Sequence, residues 1–152
     1  MRGLIAIALA FSVFGARAQP AEVPEWFAES FLEFPQDVED AAGEGKRLML
    51  YFWQPGCPYC KQLKEITLAD PALVKRTQRD FVPVALNIFG AREAQWVDGR
   101  RMSEKALTQS LKIRATPTLL FLDETGAVAL RLTGYVPPEQ FAKALENAAP
   151  RR

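Results

Sequence analysis

Leu48-Met49-Leu50-Tyr51-Phe52-Trp53-Gln54-Pro55-Gly56-Cys57-Pro58-Tyr59-Cys60 is the stretch around which the rest of the chain is organised. Leu48 to Trp53 has the length and residue types of a buried strand. Pro55-Gly56 ends it, because a proline followed by a glycine makes a poor strand and a good turn. Cys57 and Cys60 come next, and they are the only two cysteines in the chain. Lys61 through Ala69 reads as a helix, which puts Cys57 at a helix N-terminus. Unpaired backbone N–H groups and the helix dipole stabilise an anion there. A thiol in that position loses its proton more easily, and the thiolate is the reactive species. The stretch reads as a redox dithiol.

The rest of the composition narrows the choice. At 152 residues the chain is one domain with ample apolar content for a core. Its 19 basic and 18 acidic side chains nearly balance, so nothing points to nucleic acid. Histidine is absent altogether, which removes Ser-His and Cys-His pairs, imidazole acid–base chemistry and histidine metal sites. A zinc reading of Cys57 and Cys60 lacks two further ligands. Neither a metal nor a cofactor is expected.

The N-terminus has a separate purpose. Arg2, the apolar run Leu4 to Phe14 and the end Ala16-Arg17-Ala18 have the order of a secretory signal. The run is too short for a stable bilayer span. Cleavage after Ala18 is expected, with a retained anchor as the alternative. Either way the folded part lies outside the cytoplasm, periplasmic or secreted, where disulfides persist. The expected organisation is a signal peptide over 1–18, an N-terminal helical extension over 19–45 and the main domain over 46–150.

Ala21 to Pro24 reads as a tether, and Trp26 to Phe34 as a short aromatic helical piece packed on the sheet. Pro35 can open a helix at its first position, with Val38, Ala41 and Ala42 on one face and Gly43 or Gly45 as the stop. In the dithiol helix, Cys60, Leu63, Ile66 and Thr67 share a side. Asp70-Pro71 caps and restarts a helix that runs to about Gln78. Val82 to Ile88 is a strand, and Glu104 to Lys112 a helix capped by Ser103. Pro117–Leu122 and Ala127–Thr133 flank a hairpin turn over 123–126, with Val128, Leu130 and Leu132 on one face. Pro137-Pro138-Glu139 opens the last helix.

Strand, helix, strand, helix, strand, strand, helix is an α/β order. A parallel pair from the first unit and an antiparallel hairpin give a mixed central sheet with helices on both faces. The dithiol then lies at the carboxyl end of a strand, where open α/β sheets place their chemistry.

Phe52-Trp53, Cys57-Pro58-Tyr59-Cys60-Lys61, Leu86-Asn87-Ile88 and Ala115-Thr116-Pro117-Thr118-Leu119-Leu120-Phe121 occur in the order seen in thioredoxins. The chain from about Lys46 to Ala148 resembles the thioredoxin superfamily, and it looks most like the secreted SoxW-type proteins found beside bacterial sulfur-oxidation systems. Trp26-Phe27, Tyr51-Phe52 and the long segment after Asn87 carry the subgroup resemblance. The resemblance implies a cis bond at Thr116-Pro117, facing the dithiol and pairing with client backbone. Trp53, Pro58 and Tyr59 are the other client-binding residues it implies.

Three features depart from the family pattern. Tyr51 stands where thioredoxins carry a buried aspartate that assists proton transfer. Glu65 is the candidate substitute, its alternative being a solvated helix carboxylate. Gly56 replaces the tryptophan that usually precedes the first cysteine, and the Pro58-Tyr59 pair resembles glutaredoxins. In the insertion Phe89 to Met102, Trp96 either forms a docking edge or packs the insertion down.

The leading function is an extracytoplasmic thiol–disulfide oxidoreductase in which Cys57 attacks and Cys60 resolves. Resemblance implies reduction of disulfide-containing client proteins, with electrons from a transmembrane thiol carrier. An oxidase or isomerase is the alternative within that class. The other class is a redox-inactive binding module with Cys57–Cys60 as a structural clip. So short a loop contributes only about 2 kcal/mol, which weighs against it.

Overall fold

The computed structural model describes residues 20–151. The signal reading, on residues 1–18, lies outside the described residues. In chain order the elements are α1 (Phe34–Gly43), β1 (Arg47–Trp53), α2 (Pro58–Gln62) with a π-helical turn Leu63–Thr67, α3 (Pro71–Asp80), β2 (Phe81–Asn87), β3 (Glu93–Gln95), β4 (Arg101–Ser103), α4 (Glu104–Ser110), β5 (Thr118–Leu122), β6 (Val128–Thr133) and α5 (Pro138–Ala148). Among the described residues no helix is long and apolar enough to cross a membrane.

β1 is buried along its whole length because both faces of the sheet are covered. Side chains alternate along a strand. Met49, Tyr51 and Trp53 enter one core with Leu73 of α3 and Phe141 of α5, while Leu48, Leu50 and Phe52 enter the other with Phe34 of α1 and Leu107 of α4. The four main strands run in the order β2-β1-β5-β6. β1 pairs parallel with β2 and antiparallel with β5, and β6 closes an antiparallel hairpin. This is the mixed sheet with helices on both faces, the thioredoxin fold that the sequence implied.

Local chemistry sets the element ends. Asp70 accepts from the N–H groups of Ala72 and Leu73 at 2.9 and 3.0 Å, and Ser103 from that of Ala106 at 3.1 Å. Gly45, at φ +70°, follows the end of α1 in a conformation that glycine adopts without strain. In the hairpin turn Asp123 accepts from the Thr125 and Ala127 N–H groups at 2.9 and 3.0 Å.

The residues before α1 depart most from the sequence reading. Trp26 to Leu32 forms turns and extended chain, with no helix between Pro20 and Glu33. Ala28 bridges in parallel to Val84, so this segment covers the open edge of β2. Its backbone groups find partners on that edge, as the Ala28 N–H does on the Pro83 carbonyl at 2.9 Å, so no helix is needed to satisfy them. Nor is Ala21 to Pro24 a tether: Val23 is 2% exposed and belongs to the same core as Tyr51. Burying Val23 and Phe27, at about 1.5–3 kcal/mol each, favours a packed arm over a loose one.

Two further differences are geometric. After α2 the helix widens into a π turn, closed by the Leu68 N–H on the Leu63 carbonyl at 2.9 Å. The wider turn rotates Ile66 outward to 47% exposure, while Leu63 and Thr67 stay buried. Between Phe121 and Leu122 the β5–β6 register shifts, and Val128 is 41% exposed although Leu130 and Leu132 pack on the core. Trp96 is 7% exposed and meets Phe34 edge-on at 5.5 Å, so it packs the insertion against α1. Buried Glu104 secures the same insertion, accepting from Arg92 at 2.7 Å and from the Asn87 N–H at 3.1 Å.

Candidate active site

Cys57 sits at the carboxyl end of β1 because Gly56, at φ +70°, turns the chain sharply after Pro55. It caps α2: its sulfur accepts from the Cys60 N–H at 3.1 Å. That bond, with the first-turn dipole, favours a sulfur carrying negative charge. Cys57 and Cys60 are joined as a disulfide, with Cα atoms 5.2 Å apart. Cys60 is 0% exposed and Cys57 only 4%, so the first cysteine is the more open of two well-covered residues.

The loop before β5 faces this pair. Thr116-Pro117 is a cis peptide, and Thr116 Oγ1 lies 3.3 Å from Cys57 Sγ. Pro117 is buried and its carbonyl accepts from the Gly134 N–H at 2.8 Å, which ties the loop to the end of β6. Pro58 and Tyr59 stand outside the dithiol, with Tyr59 61% exposed. Together Thr116, Pro58 and Tyr59 rim Cys57, a surface on which an extended chain could lie.

Two expected site residues are placed differently. Trp53 is 7% exposed and packs in the core with Cys60, because strand alternation turns it under the dithiol. It belongs to the same core as both cysteines and offers clients little surface. Glu65 turns to solvent, its side chain 59% exposed, with Lys61 Nζ at 3.9 Å. It is a solvated helix carboxylate and no substitute for a buried acid.

Tyr51 fills the buried acid's place completely, at 0% exposure. Its hydroxyl donates to the Glu22 carbonyl at 3.1 Å. Burial pushes the phenol far above its usual pKa, and the charge of Glu22 adds to the shift. The Glu22 carboxylate itself accepts from the Gly56 N–H at 2.8 Å, one residue from Cys57. Sequence reasoning missed Glu22. The available signal was an acid beside an apolar valine in a stretch read as tether, in a chain lacking the usual core acid.

Comparison with known proteins agrees with this geometry. DsbD of Escherichia coli K12, a thiol:disulfide interchange protein, is 31% identical over 109 residues, covering 70% of this chain and 18% of that protein. A probable thiol:disulfide interchange protein DsbC of Bordetella avium is 30% identical over 145 residues, covering 78% of this chain and 50% of that one. The chain therefore spans about a fifth of the DsbD relatives and half of the DsbC relative. Among solved structures, a Helicobacter pylori thioredoxin-fold protein superposes with a TM-score of 0.61 at 26% identity, over 76% of this chain and 79% of that one. A putative disulphide-isomerase of Bacteroides thetaiotaomicron gives a TM-score of 0.61 at 25% identity, over 90% of this chain and 100% of that one. Residues 34–149 match the thioredoxin-like domain as a family, and the chain belongs to it.

Proposed function

We propose that this protein is an extracytoplasmic thiol–disulfide oxidoreductase that reduces disulfides in client proteins. The observation that carries the reading is the position of Cys57 Sγ, between the Cys60 N–H at 3.1 Å and Thr116 Oγ1 at 3.3 Å. Both groups can donate to a thiolate, the Cys60 N–H from within the core and the Thr116 hydroxyl from the rim.

In the reduced protein the Cys57 thiolate attacks one sulfur of a client disulfide. A bond forms between Cys57 and that sulfur, the client disulfide breaks, and the leaving thiolate takes a proton. Cys60, as thiolate, then attacks Cys57 Sγ, closing the disulfide and releasing the second client thiolate. Two electrons pass to the client, and the protein ends in the oxidised form. A transmembrane thiol carrier is the proposed donor that reduces it again.

The extracytoplasmic setting rests on Arg2, the Leu4–Phe14 run and Ala16-Arg17-Ala18, with cleavage after Ala18. Trp26-Phe27, Tyr51-Phe52 and the insertion after Asn87 support a SoxW-like subgroup. Isomerisation is the second reading, favoured by the resemblance to a putative disulphide-isomerase over 90% of the chain.

Expression of two variants in the native compartment, read on non-reducing gels, tests the assignment. Cys57→Ala should lose disulfide reduction, and Cys60→Ser should accumulate mixed disulfides with clients. If Cys57→Ala traps clients and Cys60→Ser does not, the two sulfurs have the opposite roles. If both variants keep full activity, the oxidoreductase reading fails.

A further inference from the structure

Glu22 lies before residue 34, where the family match begins, yet it is bonded to the redox turn. Three contacts hold its segment there. The Tyr51 hydroxyl donates to the Glu22 carbonyl at 3.1 Å, Lys64 Nζ donates to the Ala21 carbonyl at 2.7 Å, and Val23 is buried in the core. Trp26 Nε1 donates to the Leu68 carbonyl at 3.1 Å, which extends the same attachment along the π turn. The side chain therefore comes to Gly56 from an anchored backbone.

We infer that Glu22 is a positioning residue of the dithiol, whose carboxylate holds the Gly56 turn and sets the negative charge beside Cys57. The inference rests on the thiol–disulfide reading above. It assigns to the arm an electrostatic role that β1 cannot supply, because Tyr51 occupies the strand position beneath the dithiol. A neighbouring carboxylate disfavours the Cys57 thiolate and so opposes the Cys60 N–H and the helix dipole. The balance makes the reduced dithiol less stable and the protein a stronger reductant.

The other charged and titratable groups around the turn come from four elements. On α2 and the π turn, Lys61 has Glu65 for a partner at 3.9 Å and Lys64 is bonded to Ala21. On β1, Tyr51 is a neutral phenol, and on the arm Glu25 is exposed. Arg114 is exposed two residues before Thr116 on the facing loop. Of this set Lys64 is attached to the arm itself, through the Ala21 carbonyl rather than the Glu22 side chain, so Glu22→Gln removes neither partner of that bond.

Glu22→Gln isolates the charge, since the amide oxygen can still accept from Gly56. The reduced full-length protein is titrated by its rate of alkylation with iodoacetamide from pH 4 to 9. We expect the Glu22→Gln midpoint to fall by roughly half a pH unit or more. The equilibrium with glutathione should move about threefold toward the reduced form, the same half unit expressed as a ratio. Glu22→Ala should shift in the same direction, and Glu22→Asp should return toward the parent value. A purely structural role would leave the Glu22→Gln profile unmoved. Superimposed profiles, or a midpoint that rises, overturn the inference. Failure of the parent protein to reduce a model disulfide would instead overturn the thiol–disulfide reading, and the alkylation midpoints remain readable in that case.

Discussion

Thr116 Oγ1 lies 3.3 Å from Cys57 Sγ, although 59 residues separate them in the chain. The hydroxyl comes from the loop entering β5, the sulfur from the turn leaving β1, and the antiparallel pairing of those strands brings the two ends together. Thr116→Val keeps the branched shape and removes the hydrogen bond. A net contribution of about 0.5–1.5 kcal/mol predicts a rate of attack on a disulfide peptide lower by roughly two- to tenfold. Stopped-flow mixing of the reduced variant with the peptide measures it, and Thr116→Ser should recover most of the loss. An unchanged rate for Thr116→Val would leave the hydroxyl without a part in the attack.

The reduction potential follows from the dithiol's composition. Pro58-Tyr59 resembles glutaredoxin more than thioredoxin, so a value of about −200 to −250 mV is expected, above that of thioredoxin. Titration against glutathione measures it. A result near −300 mV would show that the dipeptide does not set the potential, and one near −120 mV would favour an oxidase.

Trp96 anchors the insertion. Trp96→Ala empties the space against Phe34 and should cost about 3–5 kcal/mol of unfolding free energy. Urea denaturation reads the loss, and the folded fraction should keep the parent's rate of disulfide reduction. Full stability in the variant would mean that Glu104 and Arg92 hold the insertion alone.

The β5–β6 turn sets an acid limit on stability. Asp123 is held below the usual carboxylate pKa chiefly by the Thr125 hydroxyl, and also by the N–H groups of Thr125 and Ala127 and the charge of Arg47, against some desolvation. A lowered folded-state pKa means stability present above the unfolded value of about 3.9 and lost as pH falls through the folded one. Thermal unfolding from pH 6 down to pH 2 should therefore show a steeper decline for the parent than for Asp123→Asn. Parallel curves would show that the turn does not contribute to acid unfolding.

By itself the sequence determined what neighbours within a few residues decide. The apolar run to Trp53, the Pro55-Gly56 break, the Asp70 and Ser103 caps and the turn after Asp123 each depend on contacts reaching no farther than about one helical turn, so they are legible locally. The Cys57–Cys60 spacing belongs to the same class, and the mixed sheet followed from the succession of strands and helices. Only the tertiary structure decided which groups surround the sulfurs. Glu22 meets Gly56 across 34 residues and Thr116 meets Cys57 across 59. Neither contact leaves a periodic trace, because each depends on how the arm and the β5 loop pack after both faces of the sheet are filled. The same packing turned Trp53 inward beneath the dithiol, left Glu65 in solvent and converted an expected tether into an arm. Two candidate side chains of one type, Glu22 and Glu65, look alike in the sequence, and what separates them is that one is carried on a backbone fastened beside the redox turn while the other projects from a helix into water.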